Sequence, residues 1–551
     1  MLKIKIVSSL EKPFKEDCLD DFRSLNRLSA LKNERISFQI IASVGNTEAF
    51  SDEYSVSFDG PLAKYATVRE VISVPVTLPT FPDLYDDNYI KLAPGLYPDL
   101  LLPLRYAGRL RVNKYFLSAL WVELDLREET DVPTGSIPLT VTLSNENESV
   151  SENIVLDIID VSLPEQKLIF TEWFHTDCIA NYYCVPVFSD EFWRIVENFA
   201  LTARKNGINM LLTPTFTPPL DTAIGGERLT VQLVDVTKNG NDYLFGFEKL
   251  DRWIDMCDRV GIKYFEIAHF FTQWGAKHAP KVVAEVDGEM KKIFGWETDA
   301  TSPEYTHFLR SFIKAFLEHM KARGDDKRCN FHISDEPNAD QLESYKAAKE
   351  SIADLLCDYP IMDALSNYEF YRDGLVNMPI PATNHIDAFI ENKVPNLWSY
   401  YCCGQWHGVS NRFIAMPAAR NRSIGMQMFK YDIVGFLHWG YNFYNTQHSY
   451  SPIDPYRDTS GDGWVPAGDT FSVYPAPNGQ AYESTRIIVF YEALQDMRAM
   501  ILASTLCGKN AVINAIENAF GRSVRFTDCA RESDELLRVR EAVNNLIKVN
   551  I

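Results

Sequence analysis

"SPEYTHFLRSFIKAFLEHMKARGDDKRCNFHISDEPN", residues 302–338, decides the fold. Ser302 suits an N-cap, and Pro303 suits the first helical position because its ring presets the backbone and its missing N–H is not needed there. Phe308, Phe312, Phe316 and Met320 then recur at every fourth residue beside Leu309, Ile313 and Leu317, and Gly324 supplies the stop. The spacing predicts one amphipathic helix, followed by the strand-like run "CNFHISDE" (329–336). The same alternation runs through "KLIFTEWFH" (167–175), "INMLLTPTF" (208–216), "KYFEIAHFF" (263–271), "MDALSNYEF" (362–370), "NLWSYYCC" (396–403), "GFLHWGYNFY" (435–444) and "DTFSVYP" (469–475). Eight strands separated by helices in roughly 330 residues fit a (β/α)8 TIM barrel. A doubly wound nucleotide-binding sheet fits less well, since no GxGxxG follows a strand and no GxxxxGK[ST] occurs. The stretch "RLTVQLVDVTKNGNDYLFGF" (228–247) reads as a hairpin inserted in a barrel loop.

Upstream the pattern is different. "ERISFQIIAS" (34–43), "EYSVSFDG" (53–60), "SALWVELDLRE" (118–128), "SIPLTVTLSN" (136–145) and "ENIVLDIIDV" (152–161) are short Val-, Ile- and Leu-rich runs between turn residues. Such a series without long helical patterns predicts a β-sandwich. "LPEQK" (163–167) marks the boundary. The expected organisation is therefore a sandwich over 1–163, a barrel over 164–505, and a tail over 506–551 that completes the barrel or packs on it. In the tail, "SVRF" (523–526) reads as a strand and "DELLRVREAVNNLIK" as a helix.

The net charge of −21 argues against a nucleic-acid partner or an anionic membrane surface, either of which needs a basic face. No run approaches the ~18 apolar residues of a membrane span. The opening "MLKIKIVSSLEKPFKED" alternates like a strand and has no continuous apolar leader. Ten scattered cysteines, two of them the adjacent Cys402-Cys403, suit reduced thiols, so a cytoplasmic protein is expected. No cofactor motif is present. The aromatic content of 13% suits a filled core and also a cleft that stacks on sugar rings.

Ser-Asp-Glu occurs four times, and its setting separates the copies. Ser189 and Ser533 each precede a helical pattern, where serine caps and the acids favour the first turn. Ser51-Asp52-Glu53 falls between two strands and reads as a solvated loop. Asp335 and Glu336 instead end the fourth barrel strand, ahead of Pro337, at the face where barrel enzymes keep their chemistry. A structural alternative has Ser334 or Asn338 capping the next helix. A metal reading of His332 with Asp335 and Glu336 lacks a second His cluster to complete the ligand set.

Two adjacent carboxylates have Cα atoms about 3.8 Å apart and converge on one bound sugar. That is unsuited to inverting hydrolysis, which places its acids about 6.5–9.5 Å apart on opposite faces of the ring. A retaining barrel enzyme commonly takes its nucleophile from a late strand, yet neither "NLWSYYCCGQW" nor "GFLHWGYNFYN" contains a carboxylate. A 2-acetamido sugar can supply the missing nucleophile itself, its amide oxygen attacking C1 to form an oxazoline. Asp335 then orients the acetamido group, and Glu336 protonates the leaving oxygen and later activates water. Glu336 needs a raised pKa for the first step, which an ionised Asp335 beside it would supply.

The sequence resembles glycoside hydrolase family 123, the β-N-acetylgalactosaminidases. The resemblance rests on "SDEP" at the fourth strand, "LYPDLLLPL" (96–104), the run from Trp121 to Val141, and "STRIIVFYEALQDMRAM" (484–500) with Arg486, Glu492 and Asp496. In "YEALQDM" the sequence departs from the Arg-x-Gly-x-x-Asp common in relatives. The resemblance implies a sandwich followed by a barrel, and an Asp335–Glu336 pair acting with retention on glycans that end in β-linked GalNAc. By position, Tyr400 is the first choice to donate to the acetamido oxygen, with Tyr401 and Tyr441 as alternatives. Trp398, Trp439 and Trp296 are candidates for the stacking wall, and His269, Asn367 and Asn442 for reading hydroxyls. Asp363, Glu172 and Asp469 also lie near strand ends. A β-N-acetylglucosaminidase, a silent carbohydrate-binding protein and a metal-dependent hydrolase remain the competing readings.

Overall fold

A computed structural model describes residues 1–45, 50–336 and 339–551. The N-terminal part is two five-stranded sheets. One has the order β1 (Leu2–Ser8), β3 (Arg35–Val44), β8 (Ser118–Asp125), β5 (Ala66–Val76), β6 (Gly95–Pro103); the other runs β2 (Arg27–Leu31), β10 (Ser149–Ile159), β9 (Gly135–Ser144), β4 (Ser51–Asp59), β7 (Leu110–Asn113). Their facing apolar side chains, among them Phe38, Ile40 and Val122 from the first sheet and Leu139, Val141 and Leu156 from the second, share one core. β9 alternates buried and open residues, as a strand with one wet face does, whereas β3 is covered on both faces and buries Arg35, Ser37 and Gln39 along with its apolar residues. Ser51-Asp52-Glu53 is not a loop: it opens β4 and pairs with β7, where Glu53 meets Arg111 at 2.6 Å.

Beyond residue 168 a set of parallel strands begins. Six form one curled sheet in the order β18 (Cys329–Phe331), β15 (Tyr264–Ile267), β12 (Met210–Thr213), β11 (Ile169–Glu172), β22 (Gly435–His438), β21 (Trp398–Tyr400). A separate parallel pair, β19 (Met362–Ala364) and β20 (Met378–Ile380), is tied to this sheet by single bridges, Phe331 to Ile361 and Ala382 to Tyr400. Side chains facing inward from these strands, including Met210, Leu212, Met362, Ile380, Trp398 and Leu437, form a compact inner core. The outward side chains join a larger core with the helices and part of the N-terminal unit. Two hairpins extend the loops: β13 (Asp235–Asn239) with β14 (Asp242–Gly246), which falls on the predicted insert, and β16 (Val282–Val286) with β17 (Glu289–Phe294).

The helix read from residues 302–324 is present over Pro303–Arg323. Ser302 accepts from the Tyr305 N–H at 3.4 Å, and Gly324 closes the helix at φ 80°. The eighth predicted strand needs correction. "DTFSVYP" supplies β23 (Val473–Pro475), which pairs antiparallel with β24 (Ala481–Glu483) outside the parallel set; the parallel strand missing from the prediction is β20. "SVRF" is not a strand, and the tail is two helices, Lys509–Phe520 and Ser533–Asn550. Ser189 caps its helix as expected, but at Ser533 the cap is Glu532, in a reciprocal arrangement with Glu535. Among the described residues no helix is long and apolar enough to cross a membrane.

Candidate active site

Residues 332–336 leave the C-terminal end of β18 and are stitched to the neighbouring loops through their backbone. The Ile333 N–H donates to Asp363 Oδ1 at 3.1 Å, the Ser334 hydroxyl donates to the Thr272 carbonyl at 2.8 Å, and the Trp274 N–H donates to the Asp335 carbonyl at 3.1 Å. Ser334 is therefore not a helix cap, and the next α-helix begins only at Leu342; Pro337 and Asn338 lie outside the described residues. Glu336 has φ 42°, a left-handed conformation that costs a side-chain-bearing residue about 1–3 kcal/mol and clusters at functional sites. Its Oε1 accepts the Tyr400 hydroxyl at 2.7 Å.

Beneath the pair lies a buried charge network. His332 Nε2 meets Glu266 Oε1 at 2.7 Å, and its Nδ1 faces Asp363 Oδ1 at 3.3 Å. Glu266 also accepts from the Trp173 indole at 2.7 Å and from Thr171, and Asp363 accepts from the Tyr345 hydroxyl. Burial alone would depress the His332 imidazole, but its bonds to Asp363 and Glu266 hold it up at about 9, so it is cationic at neutral pH. The His269 ring stacks on it at 4.2 Å and is pushed well below its ordinary value by burial and by that charge. Burial and the adjacent Glu336 push the Asp335 carboxyl well above the usual range, with His332 pulling the other way. The sequence reading took Asp335 as ionised; its carboxyl instead favours the protonated form. His269, His332 and Asp363 offer three atoms within 4.8 Å of one another, the second His that the sequence reading had missed. Both His332 ring nitrogens are already engaged with carboxylates, Nε2 with Glu266 and Nδ1 with Asp363.

The other predicted residues divide. Tyr400 is brought to the pair, but its phenol is bonded to Glu336. Trp439 is half-buried against Trp464 and donates its indole N–H to Asp469 Oδ2 at 2.8 Å, so a ring face stands beside the site. His269 has both nitrogens without a hydrogen-bond partner. Trp398 is core rather than wall: it is 1% exposed and lies over Gly435, where a Cβ would sit 2.1 Å from its ring. Tyr441 is buried against Phe174, with its hydroxyl on the Phe199 carbonyl, and Tyr401 donates to Asn421. Asn442 clamps the His175 backbone through both ends of its amide, and Asn367 caps the helix Tyr368–Arg372. Trp296 has His278 as its ring neighbour, beside a separate small cleft. Glu172 is held by Arg412 at 2.5 Å and by Ser472.

Sequence reasoning missed three loop residues near the pair: Trp274 after β15, and His448 and Tyr450 after β22. Their nearest sequence signal was the Trp-Gly step at 274–275, since glycine often follows a residue forced into an unusual turn. Of the carboxylates Glu172, Glu266, Asp335, Glu336, Asp363 and Asp469, only Asp335 and Glu336 reach solvent; the other four are fully buried.

An open carboxylate pair at the C-terminal ends of parallel strands, with tryptophan and tyrosine rings beside it, is the equipment of a glycoside hydrolase. The model of the glycoside hydrolase 123 catalytic domain matches residues 173–503, and the chain belongs to that family. Among solved structures, the family 123 glycoside hydrolase from Clostridium perfringens, described for glycolipid glycan hydrolysis, aligns over 100% of this chain and 99% of its own. Its TM-score is 0.75 at 14% identity, a likeness of fold. A putative beta-galactosidase from Bacteroides fragilis has a TM-score of 0.32 at 9% identity, over 83% of this chain and 58% of its own, too low to bear on the argument. No curated protein matches the sequence.

Proposed function

We propose that the enzyme removes terminal β-linked N-acetylgalactosamine from glycans with retention of configuration, through an oxazoline formed by the substrate's own acetamido group. The observation that carries this is the exposure pattern: two adjacent acids are open, while Glu172, Glu266, Asp363 and Asp469 at the strand ends are fully buried, and Asp221 of the loop after β12 is taken up by the His448 N–H. In the first step the acetamido oxygen bonds to C1 as the C1–O bond breaks, and Glu336 gives its proton to the departing oxygen. Burial and Glu336 favour a proton on Asp335 in the free enzyme. That proton passes to Glu336 as substrate binds, with the His332 cation pulling Asp335 toward its ionised form. Asp335 then accepts the acetamido N–H and balances the positive charge on the forming ring. Glu336 then takes a proton from water as that water attacks C1 and reopens the ring. Tyr400 keeps Glu336 aimed.

The scaffold we propose is a (β/α)8 barrel over 164–505 behind a sandwich over 1–163, with 506–551 packed across both. The two bridges that place β19 and β20 between β18 and β21 support closure of the ring. The description of the Clostridium perfringens relative supplies glycolipid glycans as the substrate class.

A panel of p-nitrophenyl glycosides tests this reading. Release is expected from β-GalNAc and not from plain β-galactoside; equal turnover of both would exclude acetamido assistance, and preference for β-GlcNAc would change the sugar. Glu336→Gln should lower kcat/KM about 10²–10⁴-fold with a poor leaving group and much less with a good one. Asp335→Asn should lose activity with both. Wild-type rates in the two variants would place the chemistry elsewhere.

A further inference from the structure

Three loops rise beside Asp335 and converge. From the loop after β12, Asp221 Oδ2 accepts the His448 N–H at 3.0 Å, and the Ala223 N–H donates to the His448 carbonyl at 3.0 Å. From the loop after β15, Trp274 bonds the Asp335 carbonyl and meets the His448 ring edge-on at 5.5 Å. From the loop after β22, His448 meets Tyr450 edge-on at 6.0 Å. The result is a row of three rings that starts at the catalytic pair and runs outward. It is open: Tyr450 and Ile224 are each 76% exposed and Trp274 is 36% exposed.

These loops are held in conformations that side chains resist. Asp221, Trp274 and His448 have φ of 38°, 61° and 56°, and each such residue is costly unless its surroundings impose it. One buried polar group at the foot of the row has no partner. Gln273 is 5% exposed, its amide oxygen accepts from the Asp221 N–H, and its Nε2 donates to nothing among the described residues. Exposed rings beside a free amide N–H suit a sugar, whose C–H face stacks while its hydroxyls bond; a lipid tail would leave the amide unanswered.

We propose that Trp274, His448 and Tyr450, with Ile224 and the Gln273 amide, form the subsite for the sugar on the leaving side of the scissile bond. The assignment rests on the exo-acting reading above: the terminal sugar sits over the carboxylate pair at the C-terminal ends of the strands, above the packed inner core, so the rest of the glycan leaves across this exposed row. The enzyme then recognises at least two sugars.

The test compares two substrates: β-GalNAc fluoride, whose leaving group is one atom and cannot reach the row, and a disaccharide with β-GalNAc on galactose. Tyr450→Ala and Trp274→Ala are each expected to lower kcat/KM on the disaccharide about ten- to hundredfold more than on the fluoride. Tyr450 is exposed, so its loss does not threaten the fold. Equal losses on the two substrates, or no loss on either, would overturn the subsite. Wild-type enzyme that hydrolyses neither substrate would instead overturn the N-acetylgalactosamine reading on which the subsite stands.

Discussion

Asp335 and Glu336 act as a unit, because burial and mutual repulsion let the pair keep a proton beyond the ordinary carboxylate range. In the proposed mechanism the working form carries one proton, so the alkaline limb of the pH–rate profile should lie above that range; a limb near pH 4 would contradict the coupling. Tyr400→Phe removes the phenol that stabilises the doubly ionised pair through Glu336, and should move this limb upward while lowering kcat roughly tenfold. A profile that stays in place would show that the phenol does not act on the pair. The proposed pair could be singled out in the sequence because an apolar run precedes it, and the structure places it just beyond the end of β18. Its neighbours could not. Trp398 and Tyr400 point to the same side of β21, yet one lies over Gly435 in the inner core and the other reaches Glu336. Two residues along a strand decided that, and composition cannot. Trp274 was missed because loops have no periodicity to read.

The elements show the same contrast. The helix Pro303–Arg323 was readable to the residue because five turns of apolar spacing and both caps agree. β20 was not, since three residues around Pro379 carry no pattern, and "DTFSVYP" outcompeted it by looking more like a strand. The motifs that carried the family resemblance turn out to meet. Asp99 of "LYPDLLLPL" receives both ends of the Arg486 guanidinium, at 2.8 and 2.9 Å, and the Tyr474 hydroxyl at 2.7 Å. Glu492 and Asp496 both hold Arg422, and Asp496 also holds Arg540 of the last helix. These residues join units rather than touch the site. Arg486→Met leaves Asp99 charged, buried and short of a partner, and should cost about 3–5 kcal/mol in chemical denaturation. Adding Asp99→Leu should recover much of that loss. A single variant within 1 kcal/mol of wild type would mean that the junction does not depend on this pair.

At the scale of the molecule, charge is arranged in opposite senses at the junction and at the site, and pH separates the two. At the junction, Glu483 of β24 and Glu123 of β8 are surrounded by Arg35, Arg69 and Lys205, with Arg69 to Glu483 at 2.5 Å and Lys205 to Glu123 at 3.2 Å. Burial alone would raise both carboxyls, yet these cations hold them below the ordinary range. A depressed folded value contributes stability that is full above the unfolded carboxylate value, about 4.3, and is lost as pH falls through the folded one. Near the site the sign reverses. Burial lifts Asp469 to about 7 and Asp221 to about 6, against the pull of Trp439 and Arg412 on the first and of His448 on the second. Their contribution is full below the unfolded value, about 3.9, and is lost as pH rises through 6 and 7. Melting temperature against pH should therefore respond oppositely to two neutralising substitutions. Glu483→Gln should lower it at about pH 7, with the gap narrowing as pH drops below about 4. Asp469→Asn should raise it at about pH 8 and change little at about pH 4. If both substitutions destabilise equally at every pH, the charges would be acting only through packing. The opposed response would instead show the site keeping buried acids at a cost to stability that the junction offsets.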